Sequence, residues 1–182
     1  MWLWILIAVI VVIVLWIVST YNSLVGLRNT CKEAFSTMDV YLKKRWDLIP
    51  NLVETVKGYA KHEKDTLQEV ISLRNTPYES MSDDEKVKTN QKLSQSVTKI
   101  MALAEAYPEL KANENFKELQ KAIVDVEEHL QASRRCYNAN VSIYNQLIVS
   151  FPINLVAKNK KMTKKDFFEI EESKKENVKI EL

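Results

Sequence analysis

The chain of 182 residues is poor in side chains that carry chemistry: it holds two histidines, two cysteines and two glycines. A nucleophile needs a base beside it, acid–base work needs paired titratable groups, and a metal needs converging donors. His62 stands next to Glu63, and His129 follows Glu127 and Glu128. A di-iron site in a helical bundle requires Glu-x-x-His on two helices with two further glutamates. Tyr59 and Val126 occupy the positions three before the histidines, so that pattern fails. A zinc site would need both cysteines and both histidines to converge. Gly26 and Gly58 alone cannot form a glycine-rich phosphate loop. The sequence therefore leads us to expect no catalytic residue, no metal, no cofactor and no small-molecule substrate.

The most distinctive polar group is Arg134-Arg135-Cys136-Tyr137-Asn138 with Tyr144-Asn145. The Tyr-Asn pair repeats after seven residues, so both copies share a helix face. Buried hydroxyls and amides need partners. A polar layer against a facing helix, fixing register, would supply them. The alternatives are a surface for self-assembly or for another membrane protein, and a ligand or enzyme site between helices near Tyr137 and Tyr144. That last reading requires a deep pocket lined by Arg135, Tyr137 and a carboxylate. Arg45, Trp46 and Asp47 beside Pro50 form a second charged, aromatic group that either manages a bend or meets a partner. Cys31 falls on an apolar stripe and reads as a core residue, while Cys136 flanks the aromatic seam.

Helices must position these groups. Four prolines and two glycines are too few turn residues for an all-β fold. Leu24, Leu27, Cys31, Phe35, Met38, Leu42, Ile49, Val53, Val56, Ala60, Leu67 and Val70 recur mostly at alternating steps of three and four, the signature of one helix face. Pro50 either kinks this run or breaks it into two antiparallel helices. Asn75-Thr76-Pro77 ends it. Ser82 with Glu85 forms a capping box for a second helix, which Pro108 stops. Asn113 or Asn115 caps a third. There Phe116, Ile123, Leu130, Tyr137, Tyr144 and Phe151 repeat every seven residues, beside Leu119, Val126, Ser133, Asn140 and Leu147. Pro152 ends it. The tail turns basic from Lys158 to Lys165, and Thr163 is the expected cap of a short helix holding Phe167, Phe168 and Ile170.

Met1 to Val18 is apolar without exception, with Trp2 and Trp4 at one end and Trp16 and Tyr21 at the other. As a helix it covers roughly 27 Å, close to the ~30 Å hydrocarbon core, with aromatics at both interfaces. A cleaved signal peptide would need a basic start and a small-residue cleavage site, which are missing. Arg28 and Lys32 follow the run and no basic residue precedes it, so the amino terminus is expected outside and the main domain in the cytoplasm. There both cysteines should be reduced. With 26 basic and 24 acidic residues the chain has no global field to collect nucleic acid.

The resulting expectation is an all-α fold. A transmembrane helix over residues 1–20 continues into an antiparallel bundle over 21–157, with three long helices, or four if Pro50 breaks the first. A charged tail with a short helix spans 158–182. The segments YNSLVGLRN (21–29), LKKRWDLIPNLVETVKGYAKHE (42–63), AYPELKANENFKELQ (106–120), RRCYNANVSIYN (134–145) and FPINLVA (151–157) resemble the LemA family of bacterial membrane proteins. The resemblance covers nearly the whole chain. It implies a single amino-terminal span, an amino terminus outside and an antiparallel helical domain, and it carries no established enzymatic activity.

The functional expectation is a non-enzymatic, membrane-anchored helical scaffold that contacts lipid through Met1–Thr20 and forms a homo-oligomer. An alternative is an adaptor that passes a signal along the first helix. Val25, Val40, Tyr41, Trp46, Leu48 and Leu52 lie off the main stripe, and an interface from Ser23 to Leu52 follows if they stay exposed. They could instead cover Ile153 to Ala157 within one chain. The basic tail reaches lipid only if Pro50 breaks the first helix. With a continuous first helix the third helix runs away from the membrane.

Overall fold

The computed structural model describes residues 1–60 and 62–168, and these contain helices and no strand. In chain order they are α1 (Trp2–Tyr59), α2 (Lys64–Ser72), a 3-10 turn (Tyr78–Ser80), α3 (Asp83–Glu105), α4 (Pro108–Ala112), α5 (Glu114–Val149) and α6 (Ile153–Asn159). They form two compact units. The first comprises residues 1–38 and 133–168, and the second is built from residues 39–132.

In the second unit, α1 passes through Pro50 without a break and ends at Tyr59, just after Gly58. The long run expected to reach Val70 is therefore interrupted between Tyr59 and Lys64, not at the proline. Glycine lowers helix propensity at that point, and the apolar register survives the interruption: Ala60, Leu67 and Val70 all stay buried. The turn sends α2 back along α1, because Tyr78 beyond it bonds to Asp39. The Ser82–Glu85 capping box then opens α3 as expected. Lys86 near its start meets Asp39, and Tyr107 past its end reaches Glu63, so α3 retraces the path of α2. Pro108 does stop α3, but as the first residue of α4. Asn113 caps α5, its Oδ1 accepting the Phe116 N–H at 2.9 Å; Asn115 lies inside the helix. Asn113 also touches Tyr59, and His129 stacks on Tyr41, so α5 runs antiparallel to α1. The return stroke through α2 changes the parity of the chain. A continuous α1 was expected to send the third long helix away from the membrane; α5 instead runs back toward the amino-terminal end of α1.

In the first unit, α1 and α5 are again antiparallel. Leu24 and Cys31 of α1, Val141, Tyr144 and Ile148 of α5, and Ala157 of α6 share one core. The strict seven-residue seam does not persist to its end. Phe151 is 79% exposed, Asn140 and Leu147 are half-buried, and Val141 and Ile148 are buried in their place. A straight helix drifts by about 20° per heptad, so over several heptads the contact line moves to the next position. The short carboxy-terminal helix is α6, upstream of the position expected for it. Residues 163–168 are not helical, so Thr163 caps nothing there, and Ile170 lies outside the described residues.

Residues 1–19 are exposed on every side. Eighteen apolar residues with no protein cover make α1 long and apolar enough to cross a membrane, and they form its candidate span.

Candidate functional site

The Tyr-Asn repeats of α5 face the chain's own segment 163–168. Asn138 uses both ends of its carboxamide on Phe168: Nδ2 donates to the carbonyl at 3.0 Å and Oδ1 accepts the N–H at 2.8 Å. Asn145 treats Lys165 in the same way, at 2.8 Å in each direction. Two residues facing each other in an antiparallel sheet exchange the same pair of bonds. Each asparagine thus stands in for a strand residue. The two tyrosines add single donations, Tyr137 to the Asp166 carbonyl at 3.1 Å and Tyr144 to the Thr163 carbonyl at 3.2 Å.

The spacing explains why these residue types work together. Seven residues of α-helix rise about 10.5 Å, and three residues of extended chain span about 10 Å. Asn138 and Asn145 are seven apart and hold residues three apart; Tyr137 and Tyr144 do likewise. One helix face therefore keeps register with an extended strand running the opposite way. The segment has no helix or ladder to satisfy its main chain, and part-buried peptide groups without partners are costly. The clamp satisfies them.

Side chains complete the site. Phe168 is buried, with the Arg134 guanidinium 4.9 Å from its ring centroid, a cation–π contact. Tyr137 packs edge-on against Phe35 at 5.7 Å. Burial pushes the Tyr144 hydroxyl above its ordinary range, against the opposing charge of Arg28, so it stays protonated and donates. Burial likewise raises the Cys31 thiol, opposed by the charge of Lys165. Arg135 and Cys136 are exposed and take no part in the clamp.

Two expectations change here. The polar layer was expected to face another helix; its main partner is a main-chain segment of the tail. Where a ligand pocket was envisaged beside Tyr137 and Tyr144, residues 163–168 lie instead. Sequence reasoning missed Lys165 and Phe168 as partners. The signal available was a three-residue step in the tail matching a seven-residue step in α5.

The second group belongs to the second unit and is largely core. Arg45 is 4% exposed, 3.1 Å from Glu127, and its Nη1 donates to Ser94 Oγ at 2.7 Å. Trp46, also 4% exposed, lies between the Tyr78 ring and Arg74. Leu52 is fully buried. Trp46 and Leu52 are thus withdrawn from the surface proposed for them, because α2, the 3-10 turn and α3 return along α1 and cover faces that a two-helix partner set would leave bare. Val40 remains 64% exposed, while Leu48, Val25 and Tyr41 are half-buried. Asp47 stays at the surface, paired with Lys43 at 2.9 Å.

The LemA family model matches residues 34–182. The chain belongs to the LemA family. The match begins past the candidate span and takes in all of α5 with its clamp. Protein LemA of Metamycoplasma hominis is 26% identical over 141 residues, covering 75% of this chain and 63% of that protein. Magnetosome proteins MamQ 1 and MamQ 2 of Paramagnetospirillum magneticum are each 32% identical over 59 residues, covering 32% of this chain. The aligned stretch spans only 22% of each MamQ protein's length.

Proposed function

We propose that this LemA-family chain is a non-enzymatic scaffold of a bacterial membrane, anchored once through Met1–Thr20 and acting by protein–protein contact. The reading is carried by the use made of its most distinctive polar residues. Tyr137, Asn138, Tyr144 and Asn145 direct their hydrogen bonds to peptide main chain, which is the chemistry of holding a polypeptide. Arg28 and Lys32 beyond the span support an amino terminus outside and a helical body in the cytoplasm.

Self-association belongs to this reading. Copies confined to one bilayer meet at raised local concentration, and copies of one orientation close most simply into a ring. The surface left for that contact on α1 is the exposed Val40 with the half-buried Val25, Tyr41 and Leu48. Mass measurement in mild detergent at low protein concentration is expected to give more than a monomer. Val40→Cys and Leu48→Cys in a Cys136→Ser background should cross-link. A clean monomer without cross-links would sink self-association. Orientation is read separately: a cysteine replacing Lys117 should resist a membrane-impermeant reagent on intact cells, and ready labelling would reverse the assignment.

A further inference from the structure

The end of α5, the turn after it and α6 carry apolar side chains that neither the core nor the clamp uses. Phe151 is 79% exposed, Leu155 60% and Val149 53%. Beyond the candidate span, Phe151 is the most exposed large apolar side chain among the described residues. Ile148 packs in one core with Leu24, and α5 is antiparallel to α1 there. Phe151 lies three residues beyond Ile148, and Tyr21 lies three before Leu24. The step on α1 is a rise of about 4.5 Å; α5 ends at Val149 and Phe151 follows in the turn, so that turn faces the stretch of α1 between Leu24 and Tyr21, the aromatic that closes the apolar run. A second contact fixes the same level: Lys160 Nζ sits 5.2 Å from the Tyr21 ring centroid. Lys158 and Lys161, its near neighbours in the chain, are exposed, and no acidic residue falls between Ile153 and Lys165.

Exposed apolar side chains with a cluster of cations at the end of a span are the paired signals of an interfacial membrane contact. We propose that the α5–α6 turn is a second membrane-contact element of this protein. Phe151 and Leu155 enter the interfacial layer, and Lys158, Lys160 and Lys161 bind the phosphate headgroups of anionic lipid. The inference rests on the reading of residues 1–20 as a span, because the span sets the level of the bilayer.

The test uses the full chain, with Cys136→Ser and the buried Cys31 kept, reconstituted into mixed phosphatidylcholine–phosphatidylglycerol vesicles. A fluorophore is placed at Leu155→Cys, with a reference at Lys32→Cys, an exposed α1 position eleven residues past Tyr21 and about 16 Å farther along the helix. Headgroup-labelled quencher lipid should quench the 155 probe several-fold more than the 32 probe. The difference should shrink in pure phosphatidylcholine, in high salt and in a Lys158→Glu, Lys160→Glu, Lys161→Glu variant. Equal quenching at the two positions, in protein that floats with the vesicles, would overturn the second contact and leave the span standing. Protein that fails to float with the vesicles would overturn the span and the inference together.

Discussion

In the second unit, buried polar side chains bond to one another. Arg45 meets Glu127 at 3.1 Å, and Asp39 takes the Tyr78 hydroxyl at 2.6 Å on one oxygen and Lys86 at 3.0 Å on the other. In the first unit the comparable side chains address the main chain: Asn138, Asn145, Tyr137 and Tyr144 each hold a peptide group of residues 163–168. The two solutions differ in what they fix. Pairing side chain with side chain locks particular helices in one register, since each partner is supplied once. Bonding to peptide groups specifies an extended conformation and leaves most side chains of the held segment free. Lys164 and Phe167 accordingly point away, both exposed. The second unit joins helix to helix, and the clamp of the first holds a non-helical segment against one helix face.

The largest effect is expected where a buried aliphatic side chain is truncated in the second unit. Ile123 is 5% exposed and lies mid-seam on α5. Ile123→Ala should cost about 2–5 kcal/mol, the lost transfer free energy plus the cavity left behind. Chemical denaturation of the full chain in detergent checks it. An unchanged midpoint would remove the seam from the core of that unit and weaken its contrast with the first.

The Tyr78 network should give the next largest effect, with a pH signature. Burial, the Asp39 hydrogen bond and nearby carboxylates push the Tyr78 hydroxyl well above its ordinary value of 10.0. A group whose folded value is raised contributes stability below its unfolded value and loses it as pH rises past that point. Wild type should therefore lose stability above about pH 10 from this residue. Tyr78→Phe should cost about 1.5–3 kcal/mol at neutral pH, the range for a hydrogen bond to a charged acceptor. The gap between variant and wild type should then close as the pH climbs past 10. A gap that stays constant would mean the hydroxyl is not held protonated by its surroundings.

The same contrast explains what was legible in the sequence. Periodicity located the helix faces because burial of a stripe leaves a direct trace in residue type. Ser82–Glu85 was readable because a capping box is a local event. The interruption between Tyr59 and Lys64 was not, because Ala60, Leu67 and Val70 keep the apolar spacing across the gap and only Gly58 hints at it. That one turn decided the direction of α5, and with it the level of the tail. Asn138 and Asn145 were recognised as unusual, but their partner was not. Main-chain groups carry no residue-type signal, so a clamp on peptide groups leaves a trace on one side only. Trp46 and Leu52 were misplaced for a related reason: position off the main stripe does not reveal how many helices return to cover it.

A smaller effect, local in character, should follow from Asn138→Ala. The substitution removes both bonds to Phe168, but the freed segment can move into water and solvate its own peptide groups. Global stability should therefore fall by less than the sum of two ordinary bonds, which is about 1–3 kcal/mol. Amide exchange is the sharper readout. The Phe168 N–H should exchange much faster in the variant, while the Lys165 N–H, held by Asn145, keeps most of its protection. Equal acceleration at both amides would mean that the clamp releases as one unit. Acceleration throughout α5 would mean that the strand is integral to the helical core, and the contrast between the two units would fail.

The smallest expected change is a gain. Gly26 lies inside α1 in the first unit, exposed, with no atom within 4 Å of where a Cβ would sit. Nothing in its surroundings requires glycine: it has no positive φ and no close neighbour. Its Cα hydrogen is replaced at no steric cost, and alanine restricts the unfolded chain more than glycine does. Gly26→Ala should stabilise the first unit by roughly 0.5–1 kcal/mol. The gain should appear as slower amide exchange between Leu24 and Cys31, and leave amides between Leu93 and Ile100 in the second unit unchanged. Slower exchange in both stretches would show that opening of α1 at Gly26 is coupled to opening of the second unit. Faster exchange near Gly26 would mean that a neighbour absent from this chain, such as a second copy, packs closely against the helix at that point.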